Sequence, residues 1–139
     1  MKIIYNKVIP FKGFAAINLF GVLFVREELR EYYEGCKPEM NRLLRHEGTH
    51  TKQMEEMLYV GFFVFYFIEW LARVVYQLIL DGVHAIKHPG CRVPFGRFIA
   101  DANMTAYYQI SFEREARVCE KSRRAFNNRK SYGWVKYIK

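Results

Sequence analysis

The strongest chemical motif of the chain is the run from His46 to His50, in which two histidines stand four positions apart and Glu47 follows the first. Positions i and i+4 share one face of a helix, so both imidazoles can bind a single metal ion. This pattern is typical of zinc, and Glu47 can then act as general base toward a water bound to the zinc. The motif therefore predicts a zinc-dependent hydrolase.

The motif needs a helix to place its histidines on one face. Apolar residues recur at helical spacing on both sides of it, namely Met40, Leu43, Leu44, Met54, Met57 and Leu58. Pro38 and Glu39 suit a first helical turn, and Gly48 is the only later glycine or proline in this run. The pattern predicts a helix of about five turns.

Two histidines alone leave a catalytic zinc site incomplete, because such a site takes three protein ligands and keeps one position open. A second helix-forming run extends from residue 110 to about residue 124 and carries Glu113 and Glu115. Either carboxylate can supply the third ligand. The residues themselves leave this choice open.

The motif and the later carboxylate together resemble the gluzincin metallopeptidases, in which His-Glu-x-x-His lies on one helix and the third ligand is a Glu on a later helix. In that family the Glu is often followed, three and four positions on, by Ala and Asp. Glu113 and Ala116 fit the first half of this pattern. The resemblance implies that Glu113 joins the two histidines as zinc ligand, that Glu47 is the catalytic base, and that the substrate is a peptide or protein.

Arg117 stands where the gluzincin pattern has the Asp, a residue that commonly orients a ligating histidine. This departure favours an alternative, a membrane-associated binding or scaffold protein that keeps a non-catalytic zinc site. The chain is also similar, over nearly its full length, to small uncharacterised bacterial proteins with an IPFKGFAAINLFG-like stretch, then His-Glu-x-x-His, then ISFEREA. That similarity implies no particular substrate.

A hydrolase of this type also needs a neutral donor to help polarise the substrate carbonyl oxygen. No histidine follows His88, so a tyrosine is the commonest donor that remains in the chain. The candidates are Tyr107, Tyr108 and Tyr132. The sequence does not choose among them.

His84 and His88 form a second pair at ligand spacing. Pro89 disfavours helical geometry for His88, and no carboxylate adjoins either histidine. We therefore expect this pair to lie in a basic loop from His84 to Arg97, without a metal.

The run from Leu58 to Leu80 is long and apolar enough to span a bilayer. Glu69 lies at its centre, and Arg73 and Gln77 follow at i+4 and i+8, which makes one polar stripe on a helix. A charge at the centre of a spanning helix costs about 2.5–3.5 kcal/mol on insertion scales. We therefore favour a helix that is buried in the protein or lies at a membrane interface over a helix that crosses the bilayer.

The N-terminal residues favour strands over a signal peptide, because charges interrupt any apolar core and no cleavage site follows. Two segments, Lys2 to Val8 and Phe14 to Arg26, are rich in β-branched and aromatic residues and predict two or three short strands. Such a sheet either presents an edge to an extended peptide or only covers the helices. Together with the helical runs, the strands predict a single α+β domain over residues 1–139, mainly helical and zincin-like.

Charge and cysteine content narrow the partners and the compartment. The 139 residues carry a formal net charge of +8, and the three cysteines are at no metal-ligand spacing, which indicates a reducing compartment. Basic residues alternate with Glu and no nucleic-acid motif is present, so we expect an anionic membrane surface rather than nucleic acid as partner. We expect the protein in the cytoplasm or on the cytoplasmic face of the membrane. A metal-free basic membrane-surface module, with His46 and His50 incidental, is a further alternative.

Overall fold

The computed structural model describes residues 1–10, 14–88, 90 and 94–138. The strands are β1 (Lys2–Asn6), β2 (Ala16–Leu19) and β3 (Val22–Arg26). The helices are α1 (Arg30–Gly35), α2 (Lys37–Glu56), α3 (Val60–Lys87), α4 (Phe95–Gln109), α5 (Ser111–Lys121) and α6 (Arg123–Asn127), with short 3-10 helices at Glu27–Leu29 and Gly133–Tyr137. The expected α+β class, mainly helical with an N-terminal sheet, is confirmed.

The sheet is fixed to the middle of α2 by one buried asparagine. β3 is the central strand and pairs parallel with β1 and antiparallel with β2. Asn18 of β2 donates its amide to the backbone carbonyl of Glu47 at 2.7 Å and to the hydroxyl of Thr51 at 2.8 Å. Its amide oxygen accepts from the backbone of Gly21, whose φ of +82° makes the tight turn into β3. The sheet therefore contacts α2 at the turn that carries the motif.

The predicted five-turn helix is confirmed as α2, with Pro38 in its first turn. Gly48 has a packing role, because a β-carbon there would lie only 3.1 Å from the ring of Phe126. α2 ends before Met57, and the next two residues, Leu58 and Tyr59, both have positive φ. This sharp turn leads directly into α3.

The connection between α3 and α4 is shorter than the sequence predicts. The expected loop from His84 to Arg97 is wrong at both ends, because His84 lies in α3 and Arg97 in α4. Pro89 restricts only the residue before it, so it does not unwind the preceding turn. Of the connecting residues, Pro89, Cys91 and Arg92 lie outside the described part of the chain.

The boundaries of the later helices also differ from expectation. α4 begins at Phe95, before the expected end of the loop at Arg97. The run expected from residue 110 to about residue 124 ends at Lys121. Ser122 has extended geometry there, and its hydroxyl accepts from the backbone of Ala125 to begin α6.

The alternative that the apolar helix is buried in the protein is wrong. Phe62 is the only buried residue of α3, and its outer side is exposed along its length. The predicted polar stripe lies on the inner side, where Glu69 pairs with Arg73 at 2.7 Å and Gln77 donates to Asp81 at 2.8 Å. By length and composition α3 could cross a membrane.

Glu69 fixes the start of α5. Ile110 has extended geometry and separates α4 from α5. The Glu69 carboxylate accepts from the backbone N–H of Ser111 at 2.9 Å and from its hydroxyl at 2.6 Å. A carboxylate at a helix N-terminus also interacts favourably with the helix dipole. The polar stripe of α3 therefore positions the helix that carries Glu113.

The core lies where α2, α3 and α5 meet, and the C-terminal segment closes it. Its buried cluster contains Met54, Phe62, Ile110, Phe112 and Trp134. The rings of Phe112 and Trp134 are 4.4 Å apart between centroids, so the C-terminal segment docks on the core.

We expect Glu69→Ala to lower the free energy of unfolding by about 1–3 kcal/mol, because it leaves Arg73 and the Ser111 N–H without their partner. Urea denaturation followed by circular dichroism measures the change. Glu55→Ala is the matched control, since Glu55 is exposed, and it should change the free energy by less than about 0.5 kcal/mol. Equal effects of the two substitutions would contradict this role of Glu69.

Candidate metal centre

Three side chains from two helices meet between α2 and α5. His46 and His50 lie one turn apart on α2, and their Nε2 atoms are separated by 3.2 Å. Glu113 of α5 places one carboxylate oxygen 3.4 Å from Nε2 of His46 and the other 3.3 Å from Nε2 of His50. The three residues therefore form a cluster that could hold a metal ion.

The separations in this cluster are compatible with a metal site. Zinc binds imidazole nitrogen and carboxylate oxygen at about 2.0–2.2 Å, which places neighbouring ligand atoms of a tetrahedron about 3.3–3.5 Å apart. The two Nε2 atoms, 3.2 Å apart, lie close to this range, and one ligand atom from each of the three residues lies within 4.8 Å of the others. Moreover, Oε2 of Glu113 is buried and has no hydrogen-bond partner among the described residues. The residues present fit such an ion.

The structure places Glu113, and not Glu115, beside the histidines. Glu115 is also buried, but its carboxylate accepts from the side-chain amide of Gln53 at 2.9 Å and from Arg129 at 2.9 Å. Its Oε1 lies so close to Gly133 that any side chain at that glycine would collide with it. Glu115 therefore supports the cluster from behind and closes the contact with the C-terminal segment.

Both histidines are held in place through their second ring nitrogen. Nδ1 of His46 donates to the carboxylate of Glu120 at 2.9 Å, and Nδ1 of His50 donates to the amide oxygen of Gln53 at 2.8 Å. The amide nitrogen of Gln53 is already used by Glu115 and by the carbonyl of Phe112, so its oxygen must accept. This arrangement directs Nε2 of each ring into the cluster.

Arg117 lies beside Glu113 and not beside a histidine. One guanidinium nitrogen is 3.6 Å from Oε2 of Glu113 and has no hydrogen-bond partner among the described residues, while another donates to the carbonyl of Tyr108 at 2.9 Å. Nδ1 of His46 is instead contacted by the carboxylate of Glu120, one turn further along α5. Sequence reasoning missed Glu120, although it falls on the Glu113 face seven residues on.

Glu47 is buried beside the cluster with its carboxylate uncommitted. Its side chain makes no hydrogen bond to the described residues, whereas its backbone carbonyl is held by Asn18. Burial raises the pKa of Glu47, and the positive charges of His50 and His46 act against this increase. A carboxyl with a raised pKa and no fixed partner suits proton transfer.

Of the three candidate tyrosines, only Tyr107 lies at the cluster. Burial and the negative charge of Glu113 raise its pKa, so it remains a neutral phenol at physiological pH. Tyr108 is exposed and stacks on Arg117 at 4.2 Å, and the hydroxyl of Tyr132 donates to the carbonyl of Glu56. A fourth phenol, Tyr66, was not among the candidates, and it donates to Glu113 at 2.9 Å.

The second histidine pair gathers no carboxylate in the described part of the chain. The rings of His84 and His88 are 4.6 Å apart at the exposed C-terminal end of α3. Among the described residues, the only group of three or more potential ligands is the cluster at His46, His50 and Glu113.

The carboxylates around His46 raise its pKa above that of an ordinary imidazole. Burial lowers the pKa of His46, but the carboxylates of Glu113 and Glu120 outweigh this effect and raise it to about 10. The pKa of Glu113 is held well below its usual range, because the histidines outweigh the opposing effect of burial. His46 is therefore an imidazolium and Glu113 a carboxylate at neutral pH.

Comparison with known proteins adds nothing to this geometry, because no protein-family model, no curated protein and no solved structure matches the chain.

We expect Glu120→Ala to weaken zinc binding about 10- to 100-fold, since residues that orient ligating histidines typically contribute that much. Competition with a fluorescent zinc chelator measures the affinity. Glu39→Ala is the control, because Glu39 pairs with Arg42 as Glu120 does but has no contact with His46. A similar loss in both variants would assign the effect to Arg42 rather than to the histidine.

We also expect zinc binding to release about one proton near neutral pH, because zinc requires the neutral form of His46. The sign follows from its raised pKa of about 10. Below that pH a proton competes with the metal, so the apparent affinity should rise about tenfold per pH unit between about pH 6 and pH 8. Calorimetry in two buffers of different ionisation enthalpy counts the protons, and a heat independent of buffer would contradict the prediction.

Proposed function

We propose that the protein is a zinc-dependent hydrolase with a zincin-like site, and that its substrate is a peptide or protein. The observation that carries this proposal is the convergence of His46, His50 and Glu113, whose ligand atoms lie within 4.8 Å of one another, with the uncommitted Glu47 on the turn between the histidines. Two imidazoles and one carboxylate are a typical ligand set of catalytic zinc, which keeps a fourth position open.

The residues around the cluster have separate roles in this proposal. Zinc, when bound, would act as a Lewis acid and lower the pKa of water. Glu47 takes a proton from the water that attacks the substrate carbonyl and later delivers this proton to the leaving amine. Tyr107 is the neutral donor for the substrate oxygen, because it is the predicted tyrosine that lies next to Glu113.

A peptide is the favoured substrate because of the strand that borders the motif. β2 lies at the edge of the sheet, and Asn18 at its centre contacts the carbonyl of Glu47. An edge strand offers backbone groups to an extended chain, so it can hold a peptide beside the general base. We place the activity in the cytoplasm or on the cytoplasmic face of the membrane, because the free cysteines Cys36 and Cys119 suit a reducing compartment.

A second function is favoured by one observation. Arg117 is a cation 3.6 Å from the proposed ligand Glu113, where gluzincins have an Asp. A positive charge at this position competes with the metal for the carboxylate. This feature favours a membrane-associated binding or scaffold protein whose zinc site has no turnover.

We expect purified protein to contain close to one zinc per chain and to lose it in His46→Ala and Glu113→Ala. Glu115→Gln is the matched control, since it tests the other glutamate of the same helix while keeping a side-chain oxygen that can still accept from Gln53. Inductively coupled plasma mass spectrometry measures the metal. A protein that takes up no zinc even after incubation with it would refute the proposed site and leave a metal-free module.

We expect Glu47→Gln to keep the zinc and to lower peptide hydrolysis at least about 100-fold, because it removes the proton acceptor but no ligand. The assay compares the hydrolysis of a quenched-fluorescence peptide library by the variant with its hydrolysis by wild type. Zinc bound by wild type without cleavage of any peptide, even after Arg117→Asp, would support the non-catalytic alternative. Cleavage retained in Glu47→Gln would refute the role of the base.

A further inference from the structure

The outer side of α3 is a continuous apolar surface. Every exposed residue from Val60 to Val83 is apolar or aromatic, and none carries a charge. We call these exposed residues the apolar face of α3; they include Phe63, Phe67, Ile68, Leu71, Val75 and Ile79. At 1.5 Å per residue the face is about 36 Å long. An exposed apolar surface of this extent marks a binding site rather than ordinary protein surface.

The polar residues of α3 lie on its inner side, which is the reverse of a helix on a soluble protein. Glu69 binds Arg73 and the start of α5, and Gln77 binds Asp81. Trp70 donates to Asn103 of α4 at 2.9 Å. A soluble amphipathic helix turns its apolar side inward and its charges to water. Here the charges are paired against protein and the apolar side faces outward.

The apolar surface continues beyond the helix. Phe20, at the turn between β2 and β3, is 63% exposed and packs against the rings of Tyr59 and Phe63 at 5.9 and 5.6 Å. Leu58, in the turn before α3, is 83% exposed. Two tight turns therefore hold large apolar side chains outward at the end of the same face.

The composition of this surface identifies its partner. Protein interfaces contain a large share of polar atoms and are surrounded by a polar rim, whereas none of the exposed residues between Val60 and Val83 carries a charge. Lipid hydrocarbon accepts such a surface. The net charge of +8 and the exposed Lys87 at the end of α3 complement anionic headgroups. We infer that the apolar face of α3, with Phe20 and Leu58, docks into an anionic lipid bilayer.

The helix lies in the plane of the membrane rather than across it. α4 packs along α3 and carries the ion pair of Arg97 and Asp101, whose side chains are 77% and 68% exposed. A spanning α3 would bring that pair into the hydrocarbon, which is strongly unfavourable. Lying flat, α3 buries its apolar face at the headgroup boundary while α4 remains in water.

This arrangement brings the candidate metal centre to the membrane surface. Phe62 and Tyr66, on the inner side of the first two turns of α3, contact the cluster, with 6.0 Å between the rings of Phe62 and His50. Phe63 and Phe67 on the same turns face outward. The docking does not rest on zinc or on hydrolysis, so it stands or falls separately from the proposed function.

Flotation with vesicles of equimolar phosphatidylcholine and phosphatidylglycerol tests the inference. We expect wild type to float with the vesicles, and the double variant Ile68→Lys, Val75→Lys to bind more than about tenfold more weakly, because it places two charges in the apolar face. The control is Ala100→Lys, Thr105→Lys, which adds the same charge at exposed positions of α4 and should bind within about threefold of wild type. Circular dichroism checks that all three proteins are folded.

A tryptophan reporter gives a second measurement, which does not require that a variant loses membrane binding. Phe67→Trp places an indole in the apolar face, and Met104→Trp places one at an exposed site on α4. Lipids brominated in their acyl chains should quench the first reporter and leave the second unchanged. Equal quenching of the two tryptophan reporters, or equal loss of flotation in the two lysine double variants, would show that lipid surrounds both α3 and α4. Either result would overturn the in-plane arrangement. The inference would also be overturned if wild type stays in solution as a dimer and the double variant Ile68→Lys, Val75→Lys is a monomer. That result would assign the apolar face of α3 to a second copy of the chain.

Discussion

The packing of α2 on α5 depends on buried charges that find partners in only one register. Glu113 and Glu115 are almost fully buried on α5, and each would be costly to bury alone. Glu113 is matched by the two histidines and by Tyr66, while Glu115 is matched by Gln53 and Arg129. A shift of α5 by one turn would leave both carboxylates unpaired. The same contacts that assemble the cluster therefore specify how the two helices pack.

α3 lies between this polar interior and an exposed apolar surface. On its inner side, Glu69 binds the start of α5 and the hydroxyl of Tyr66 donates to Glu113. The position of α5 therefore depends on α3. Its outer side contributes only apolar groups. One helix therefore faces two different media, and its polar stripe is retained for pairing within the protein rather than for contact with water.

The sequence predicts the parts of this structure that depend on local periodicity. The helix around His46 and His50 follows from i, i+4 spacing and apolar repeats, and the strands follow from β-branched residues between turns. The sequence does not predict that α3 ends at Lys87 or that α4 begins at Phe95. A proline restricts the conformation of the residue before it, but it does not determine how far the preceding helix extends. The sequence left open whether α3 is buried in the protein or exposed at a membrane interface, for another reason. An apolar helix in a protein core and one in lipid have the same composition, and only tertiary packing distinguishes them.

The choice between Glu113 and Glu115, and the finding of Glu120 and Gln53, depended on tertiary contacts that one sequence does not encode by spacing alone. Both glutamates lie on the same short helix, and both are buried. What separates them is the charge that each one meets. Glu113 faces two imidazoles, whereas Glu115 faces an arginine and an amide. The hydrogen bonds of Glu120 and Gln53 to the histidines use the Nδ1 atoms, so the Nε2 atom of each ring is left facing Glu113.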